Sequence, residues 1–128
     1  MLDGKEWPTV EHYFQAAKFA DHPAYVEKIR SAATPADAKR LGQTRHLQIV
    51  ANWNRNRCAV MAAALAAKFA NPELRTLLLS TGDAKLVEAN KHDSYWGIGD
   101  GHGANHLGRL LMKLRTELKS GQMPVLIK

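Results

Sequence analysis

The sequence predicts a mainly α-helical, single-domain fold with a few short β-strands and a glycine-rich loop. Three observations support this prediction. Apolar residues recur at helical spacing in several segments, proline and capping residues stand where helices would begin, and glycines stand where they would end. The length of 128 residues suits one globular domain, and neither a repeat nor a low-complexity linker divides it.

The first predicted helix begins after Thr9, a good N-cap residue, and runs to about Phe19. Its apolar residues at i, i+3, i+4 and i+7 are Val10, Tyr13, Phe14 and Ala17. Because this spacing matches the turn of an α-helix, these residues define one apolar face.

Three further helices are predicted before residue 71. Pro23 and Pro35 each stand at a first helical position, where proline's missing amide hydrogen is not needed, and Gly42 follows as a stop. The alanine-rich stretch over about 54–70 has apolar residues at helical spacing. This stretch is the best candidate for a central buried helix.

The second half of the sequence is predicted to form two helices separated by irregular structure. A helix is expected over about 72–82 and another over 106–119, each with leucines at helical spacing. Residues 84–88 are predicted to form a short strand. Residues 91–105 are too rich in glycine for regular helix or strand. The tail, residues 123–128, is expected to add an edge strand or to fray.

Composition and charge exclude several classes of protein. Cys58 is the only cysteine, which excludes a disulfide framework or a multi-cysteine zinc module and favours a reducing cytoplasm. We find no apolar run long enough for a membrane helix and no secretory or transit signal, so we expect a cytoplasmic protein. The net charge of +6 and a pI near 9.7 favour an anionic partner: a nucleotide, a nucleic acid or an acidic membrane.

Three polar residues of the first predicted helix form a stripe beside its apolar face. Glu11, Gln15 and Lys18 are spaced at i, i+4 and i+7. One interpretation is a solvated surface, with Glu11 favouring the helix N-terminus. The other is a carboxylate and an amine held close together, which suits acid–base catalysis or an imine formed by the lysine. The pattern alone does not decide between them.

The segment from residue 90 to 105 sets acidic and aromatic residues among glycines just before a helix. Glycines occupy four of the seven positions from Gly97 to Gly103. Such loops let a ligand approach backbone amides closely, and a helix N-terminus favours an anion. The segment lacks the P-loop ending and the context of a dinucleotide-binding loop. The alternative interpretation is a tight connection anchored by aromatic residues.

Tryptophan, arginine and histidine residues were further candidates for binding. Trp7, Trp53 and Trp96 stand near helix starts or in a loop, where a ring either stacks on a base or ribose or completes the core. Arginines concentrate in the middle of the chain, Arg45 among them, and are suited to a phosphate. The histidines show no zinc-site spacing, so no metal is predicted.

Five motifs stand in order along almost the whole chain. They are Trp-Pro-Thr-Val-Glu-His-Tyr-Phe-Gln-Ala-Ala-Lys-Phe (7–19), Asn-Trp (52–53), Ala-Leu-Ala-Ala-Lys-Phe (64–69), Leu-Leu-Leu-Ser-Thr-Gly-Asp (77–83) and Asp-Ser-Tyr-Trp-Gly-Ile-Gly (93–99). The last runs into Gly-x-Gly-x-Asn-x-Leu-Gly-x-Leu-Leu-Met (101–112). Together they strongly resemble the NADAR family, also called YbiA-like.

The resemblance implies a YbiA-like helical domain that hydrolyses the N-glycosidic bond between ribose and a base or amine, without a cofactor. Two substrate classes are associated with such proteins. One is the phosphorylated ribosylaminopyrimidine intermediates of riboflavin biosynthesis, and the other is ADP-ribosylated guanine, including guanine in nucleic acid. Both present a ribose with a nitrogen at its anomeric carbon, and phosphate. The oligomeric state is not predicted.

By position, the resemblance assigns the site to Glu11, Lys18, Trp53, Asp93 and Trp96. A carboxylate, Glu11 or Asp93, would stabilise an oxocarbenium-like centre or activate water. Lys18 has a second route, attack on ring-opened ribose to give an imine. The two tryptophans would stack on the base or ribose. The remaining residues expected to bind substrate, chiefly at phosphate, are Arg45, Gly97, Gly99, Gly101 and Asn105.

Members of this family normally carry a segment ahead of Trp7 that ends in a Ser-Asn-Phe-type strand and helps to form the pocket. This sequence opens at an Asp-Gly-Lys turn, so we expect residues 1–128 to be one domain that lacks the segment. A non-catalytic module that binds ADP-ribose or a nucleotide is the alternative to an N-glycosidase. A nucleic-acid-binding protein is the weakest hypothesis, because no groove-reading motif accompanies the positive charge.

Overall fold

The computed structural model describes residue 2, residues 4–90 and residues 92–120. These residues form six α-helices: α1 Val10–Ala17, α2 Pro23–Arg30, α3 Pro35–Gly42, α4 Trp53–Lys68, α5 Pro72–Ser80 and α6 His106–Lys119. The predicted mainly helical class is confirmed. The helices fall into two compact units, one that ends at Ala67 and one that begins at Lys68.

Capping groups begin the helices close to where the sequence predicts them. The hydroxyl of Thr9 accepts the backbone amide of His12, and Asn71 caps α5 in the same way. Pro23 and Pro35 occupy the first positions of α2 and α3. Each cap gives an otherwise unpaired amide of the first turn an acceptor, which stabilises a helix start by about 1 kcal/mol.

Helix α1 is central to the first unit. It packs against both α2 and α3. Ala16 of α1 and Phe19, which follows α1, form one core cluster with Ile29 and Ala38. On another side, Tyr13 packs with residues of α4 in a second cluster. Burial on more than one side holds α1 rigidly, so polar side chains on it have fixed positions.

His12 ties the start of α1 to the chain that follows α2. Its side chain is 1% exposed, with Nδ1 2.7 Å from the hydroxyl of Thr9 and Nε2 3.0 Å from the carbonyl oxygen of Ala32. Because a carbonyl only accepts, Nε2 donates the proton to Ala32 and the hydroxyl donates to Nδ1. His12 therefore has a structural role in the core of this unit.

In the second unit, Arg115 of α6 holds the chain that leaves α5. This buried guanidinium donates to the hydroxyl of Thr81 at 2.7 Å and to the carbonyl of Ala84 at 2.8 Å. Lys119, one turn further on, donates to the carbonyl of Gly82 at 2.8 Å. These bonds pin the segment after α5 along α6.

The strand predicted over residues 84–88 is wrong. In the part of the chain that the structure describes, strand-like pairing is limited to an isolated bridge between Leu2 and Lys5. The polar backbone groups of residues 86–88 instead bond to the side chain of Asn105 and to the amide of Ile98, so no ladder forms. The strand expected over 123–128 lies outside the described residues.

None of the described helices combines the length and the apolar content that a membrane span requires.

Candidate active site

The residues predicted to form the site divide between the two units. The first unit contains Glu11, Lys18, Arg45 and Trp53, and the second contains Asp93, Trp96, Gly97, Gly99, Gly101 and Asn105. Glu11 lies on α1 and Lys18 directly follows the last residue of that helix. The predicted residues of the second unit share one segment, the glycine-rich loop (residues 92–105), up to the start of α6.

Glu11, Gln15 and Lys18 form what we call the α1 polar stripe. The carboxamide Nε2 of Gln15 donates to Oε1 of Glu11 at 3.3 Å, and Nζ of Lys18 donates to the carbonyl of Gly42 at 3.3 Å. Gln15 is 5% exposed, and the other two side chains are half-buried. The stripe therefore faces the end of α3 and is not the solvated surface that one interpretation of the sequence favoured.

Burial changes the chemistry of the Lys18 amine. Loss of solvation lowers the pKa of Lys18 below its ordinary value of 10.5, and the positive charge of Lys39 acts in the same direction. The carboxylate of Glu11 opposes both, but its effect is smaller than that of burial. A lowered pKa increases the neutral fraction of the amine at a given pH, and the neutral amine is the nucleophile.

Gln15 lies between two predicted site residues, and the sequence pattern assigned it no role of its own. Its spacing placed it on the stripe between Glu11 and Lys18, but only the structure shows that it is the most buried of the three. The sequence contains a signal for this burial, because Gln15 is a polar residue between two apolar neighbours, Phe14 and Ala16, on the predicted helix. A buried polar side chain in such a setting usually has a specific partner.

Arg45 lies in an open cleft of the first unit. The cleft has a volume of about 540 Å³ and is lined by Tyr25, Arg40, Leu41, Gln43, Thr44, Arg45 and His46. The side chains of both arginines and of His46 are exposed. An exposed pair of guanidinium groups with a hydroxyl nearby is suited to an anion such as a phosphate.

Trp53 is mostly a core residue. It begins α4, is 7% exposed, and packs against Phe14 with their ring centroids 5.0 Å apart. In this arrangement a base or ribose could reach little of the ring face. Trp96 differs, because it is half-buried and meets Tyr95 edge to face at 4.8 Å.

Asp93 organises the start of the glycine-rich loop. Its Oδ1 accepts the backbone amides of Tyr95 at 3.0 Å and Trp96 at 2.8 Å, while its own backbone carbonyl accepts the amide of Gly99. The aspartate side chain thus closes a tight turn. One carboxylate oxygen carries both of these bonds, which leaves the other free of this structural role.

The glycines of the loop allow close approach of backbone to backbone. A Cβ at Gly97 would lie 2.6 Å from the carbonyl oxygen of Glu88, which is closer than these atoms tolerate. Gly99 and Gly101 have φ of +55° and +114°, a backbone conformation that favours glycine. The amides of Gly99 and Gly101 already donate to carbonyls of the loop, the latter to Ile98 at 2.8 Å. The glycines therefore shape the loop, and these two amides are not open to a phosphate.

Asn105 has both of its side-chain polar atoms bound to backbone. Its Nδ2 donates to the carbonyl of Leu86 and its Oδ1 accepts the amide of Glu88, each at 2.9 Å. The residue is 6% exposed and adopts a left-handed conformation with φ of 54°. It joins the start of α6 to the extended segment before the loop.

No cluster of three or more histidine, cysteine, aspartate or glutamate side chains that could hold a metal ion occurs among residues 2, 4–90 and 92–120.

Comparisons with known proteins agree with the motifs and with the helical fold. The NADAR domain model matches residues 1–119. The N-glycosidase YbiA of Escherichia coli (strain K12) is 51% identical over 119 residues, which are 91% of this chain and 74% of that protein. The chloroplastic riboflavin biosynthesis protein PYRR of Zea mays is 45% identical over 123 residues, which are 88% of this chain and 20% of that protein.

A solved structure is also similar. The NMR structure of the E. coli protein YbiA superposes with a TM-score of 0.85 at 50% identity and covers 93% of this chain and 71% of that one. At this identity the likeness reflects common descent as well as a common fold. The match to the family model crosses both units and includes every predicted site residue. This chain belongs to the NADAR family.

Proposed function

We propose that this protein is an N-glycosidase that hydrolyses the C–N bond between ribose and a base or amine in a phosphorylated substrate. The observation that supports it most is the α1 polar stripe, in which the Glu11 carboxylate lies close enough to the partly buried Lys18 amine to influence its pKa. The similarity to proteins named N-glycosidase supports the same reaction class.

Positive charge develops at the anomeric carbon as the C–N bond breaks. A carboxylate near that carbon stabilises the charge or takes a proton from the attacking water, and a general acid protonates the departing nitrogen. We assign the carboxylate to Glu11, because Gln15 holds one of its oxygens and the other has no hydrogen bond to any of the described residues. Asp93 is the alternative carboxylate, with one oxygen already engaged in its turn.

Lys18 provides a covalent route that does not need the closed sugar ring. When the ribosylamine ring opens to an imine, the neutral amine of Lys18 adds to the anomeric carbon, transfers both of its hydrogens as protons to the nitrogen of the base, and displaces that base as a free amine. Water then adds to the resulting lysine imine, releases ribose as its aldehyde, and regenerates the amine. A lowered pKa of Lys18 favours this route because the attacking amine must be neutral.

We assign substrate phosphate to the cleft beside Arg45. Its two exposed arginines are charged at any physiological pH, whereas the amides of Gly99 and Gly101 already have acceptors. Of the two tryptophans proposed to stack on base or ribose, Trp96 is half-buried and has more free ring surface than Trp53, which is nearly covered. Asn105, Gly97, Gly99 and Gly101 contribute by shaping the loop that carries Trp96.

Two substrate classes fit this chemistry. The phosphorylated ribosylaminopyrimidine intermediates of riboflavin biosynthesis are favoured by the similarity to a protein named for that pathway, and ADP-ribosylated guanine is the second candidate. Both are anionic and ribosylated, which agrees with the net charge of +6.

A product assay tests the proposal. The wild-type protein is incubated with each substrate, and mass spectrometry detects the free base or amine. We expect turnover of at least one substrate, loss of turnover in Glu11→Gln, and wild-type turnover in Glu73→Gln, which changes an exposed acid in the first turn of α5. Saturable binding in calorimetry without any product would instead show a non-catalytic nucleotide-binding module.

Borohydride separates the two roles of Lys18. The reagent reduces a lysine imine to a stable secondary amine, so the imine route leaves a sugar adduct on Lys18. We expect the adduct in the wild type, none in Lys18→Arg, and an unchanged yield in Lys113→Arg, which alters an exposed lysine of α6. Turnover without any adduct would contradict the covalent route and leave Lys18 an electrostatic role.

A further inference from the structure

Gln15 contains a buried acceptor that the fold does not satisfy. Its side chain is 5% exposed, and Oε1 is fully buried without a hydrogen-bond partner among the described residues. A buried unpartnered oxygen destabilises a fold, because no hydrogen bond replaces the water that it loses on folding. Such a group is retained where it serves something other than stability.

The orientation of the carboxamide follows from Glu11. The Nε2 group donates to Oε1 of Glu11 at 3.3 Å, so the NH₂ end faces the carboxylate. Rotating the amide by half a turn would place its oxygen against the carboxylate oxygen, where like partial charges repel. The amide oxygen is therefore directed away from Glu11 and toward α3.

Gly42 makes the space that the carboxamide occupies. A Cβ built on Gly42 would overlap Oε1 of Gln15 and would lie 2.7 Å from Cδ. Any other residue at position 42 would displace the amide. The carbonyl oxygen of the same glycine accepts a hydrogen bond from the amine of Lys18, so one backbone position contacts both Gln15 and Lys18.

We infer that Gln15 is a positioning residue that orients the Glu11 carboxylate, and that the lack of a side chain at Gly42, at the end of α3, makes room for it. This inference rests on the proposed function of Glu11. A donor on one carboxylate oxygen fixes the plane of the group and leaves the other oxygen for the reacting carbon or water. Misplacement of a catalytic group by about 1 Å lowers rates by about 100-fold.

The first test is Gln15→Met, which keeps the length of the side chain but removes both the donor to Glu11 and the unpartnered acceptor. We expect kcat to fall at least ~10-fold with KM nearly unchanged, while the melting temperature stays equal or rises. A purely structural role gives the opposite pattern, a lower melting temperature with normal kcat, and would overturn the inference. Gln48→Met, at an exposed glutamine of the same unit, is the control.

The second test asks whether Gly42 acts through Gln15. Gly42→Ala alone should lower kcat by a factor similar to that of Gln15→Met, because the added methyl group displaces the amide. In a Gln15→Ala background the same change should have little further effect, since the remaining Cβ at 3.0 Å needs only a small shift. Equal effects of Gly42→Ala in both backgrounds would show that Gly42 acts independently, against the inference.

The Glu11→Gln variant separates failure of the inference from failure of the proposed function. If Glu11→Gln keeps full turnover, the catalytic assignment of Glu11 is wrong and the inference falls with it. If Glu11→Gln is inactive and Gln15→Met has the wild-type kcat, the inference alone is wrong. If both lose activity and Gln15→Met adds nothing to the residual rate of Glu11→Gln, the two residues act as one unit.

Discussion

The α1 polar stripe and the glycine-rich loop both carry a carboxylate that the sequence marks as catalytic, but they use their polar groups differently. In the loop, Asp93 and Asn105 bind backbone amides and carbonyls and so build the loop itself. In the stripe, Gln15 has an acceptor without a partner among the described residues, and the Lys18 amine donates to a backbone carbonyl at 3.3 Å.

This difference indicates which region is organised for chemistry. Polar groups that satisfy one another and the backbone stabilise a fold, whereas a buried polar group without full hydrogen bonding costs stability and points to a functional role. The lowered pKa of Lys18 fits the second description. We therefore expect substitutions in the stripe to change turnover and substitutions in the loop to change stability first.

The largest expected effect contrasts the two carboxylates. Glu11→Gln should lower kcat by about 10²–10⁴, the usual contribution of acid–base catalysis. Asp93→Asn should have a much smaller effect, because an amide oxygen can still accept the amides of Tyr95 and Trp96. Steady-state rates of both purified variants measure this. Equal losses would break the contrast and make Asp93 a catalytic residue.

The next effect concerns the stability of the second unit. Asn105→Ala removes the partners of the Leu86 carbonyl and the Glu88 amide, so we expect a loss of about 2–4 kcal/mol in the free energy of unfolding. Chemical denaturation measures the loss, and faster hydrogen exchange at Glu88 would locate it. The control is Asn90→Ala, at an exposed asparagine of the same unit. Equal losses in the two variants would argue against a special role for Asn105.

Two helical glycines provide a smaller contrast. A Cβ at Gly108 would overlap the backbone carbonyl oxygen of Leu86, whereas a Cβ at Gly42 would meet the movable end of the Gln15 side chain. Gly108→Ala should therefore destabilise the protein by about 1–3 kcal/mol, although alanine is the better helix former. Gly42→Ala should lose less stability and more activity. A thermal melt of each variant tests this, and a more stable Gly108→Ala would contradict the structure.

The smallest effect is a pH dependence of stability that arises from Lys18. Because burial lowers the pKa of Lys18 in the folded protein, the unfolded chain holds this proton up to a higher pH, near 10.5. The free energy of unfolding should therefore rise with pH in that window, relative to Lys18→Met, which has no proton to lose. Denaturation curves from neutral pH to 10.5 measure the difference. A difference that does not change with pH would show that the amine is fully solvated.

Much of the fold could be predicted because helix signals are local. Thr9 caps α1, Pro35 begins α3 and leucine spacing marks α6, and each depends on residues within a few turns of the chain. The prediction of a strand at 84–88 was wrong because strand formation is not local. Whether an extended segment becomes a strand depends on a distant partner, and here a side chain of Asn105 takes the place of that partner.

The site divides in the same way. Motifs along the chain are enough to identify the family and to select Glu11, Lys18 and Asp93 as chemical groups, because residue types and spacing are properties of the sequence. The environments of these groups, in contrast, depend on the tertiary structure. Three features arise where α1 meets α3: the burial of Gln15, the space at Gly42 and the lowered pKa of Lys18. No rule of residue spacing predicts how closely two separate helices approach.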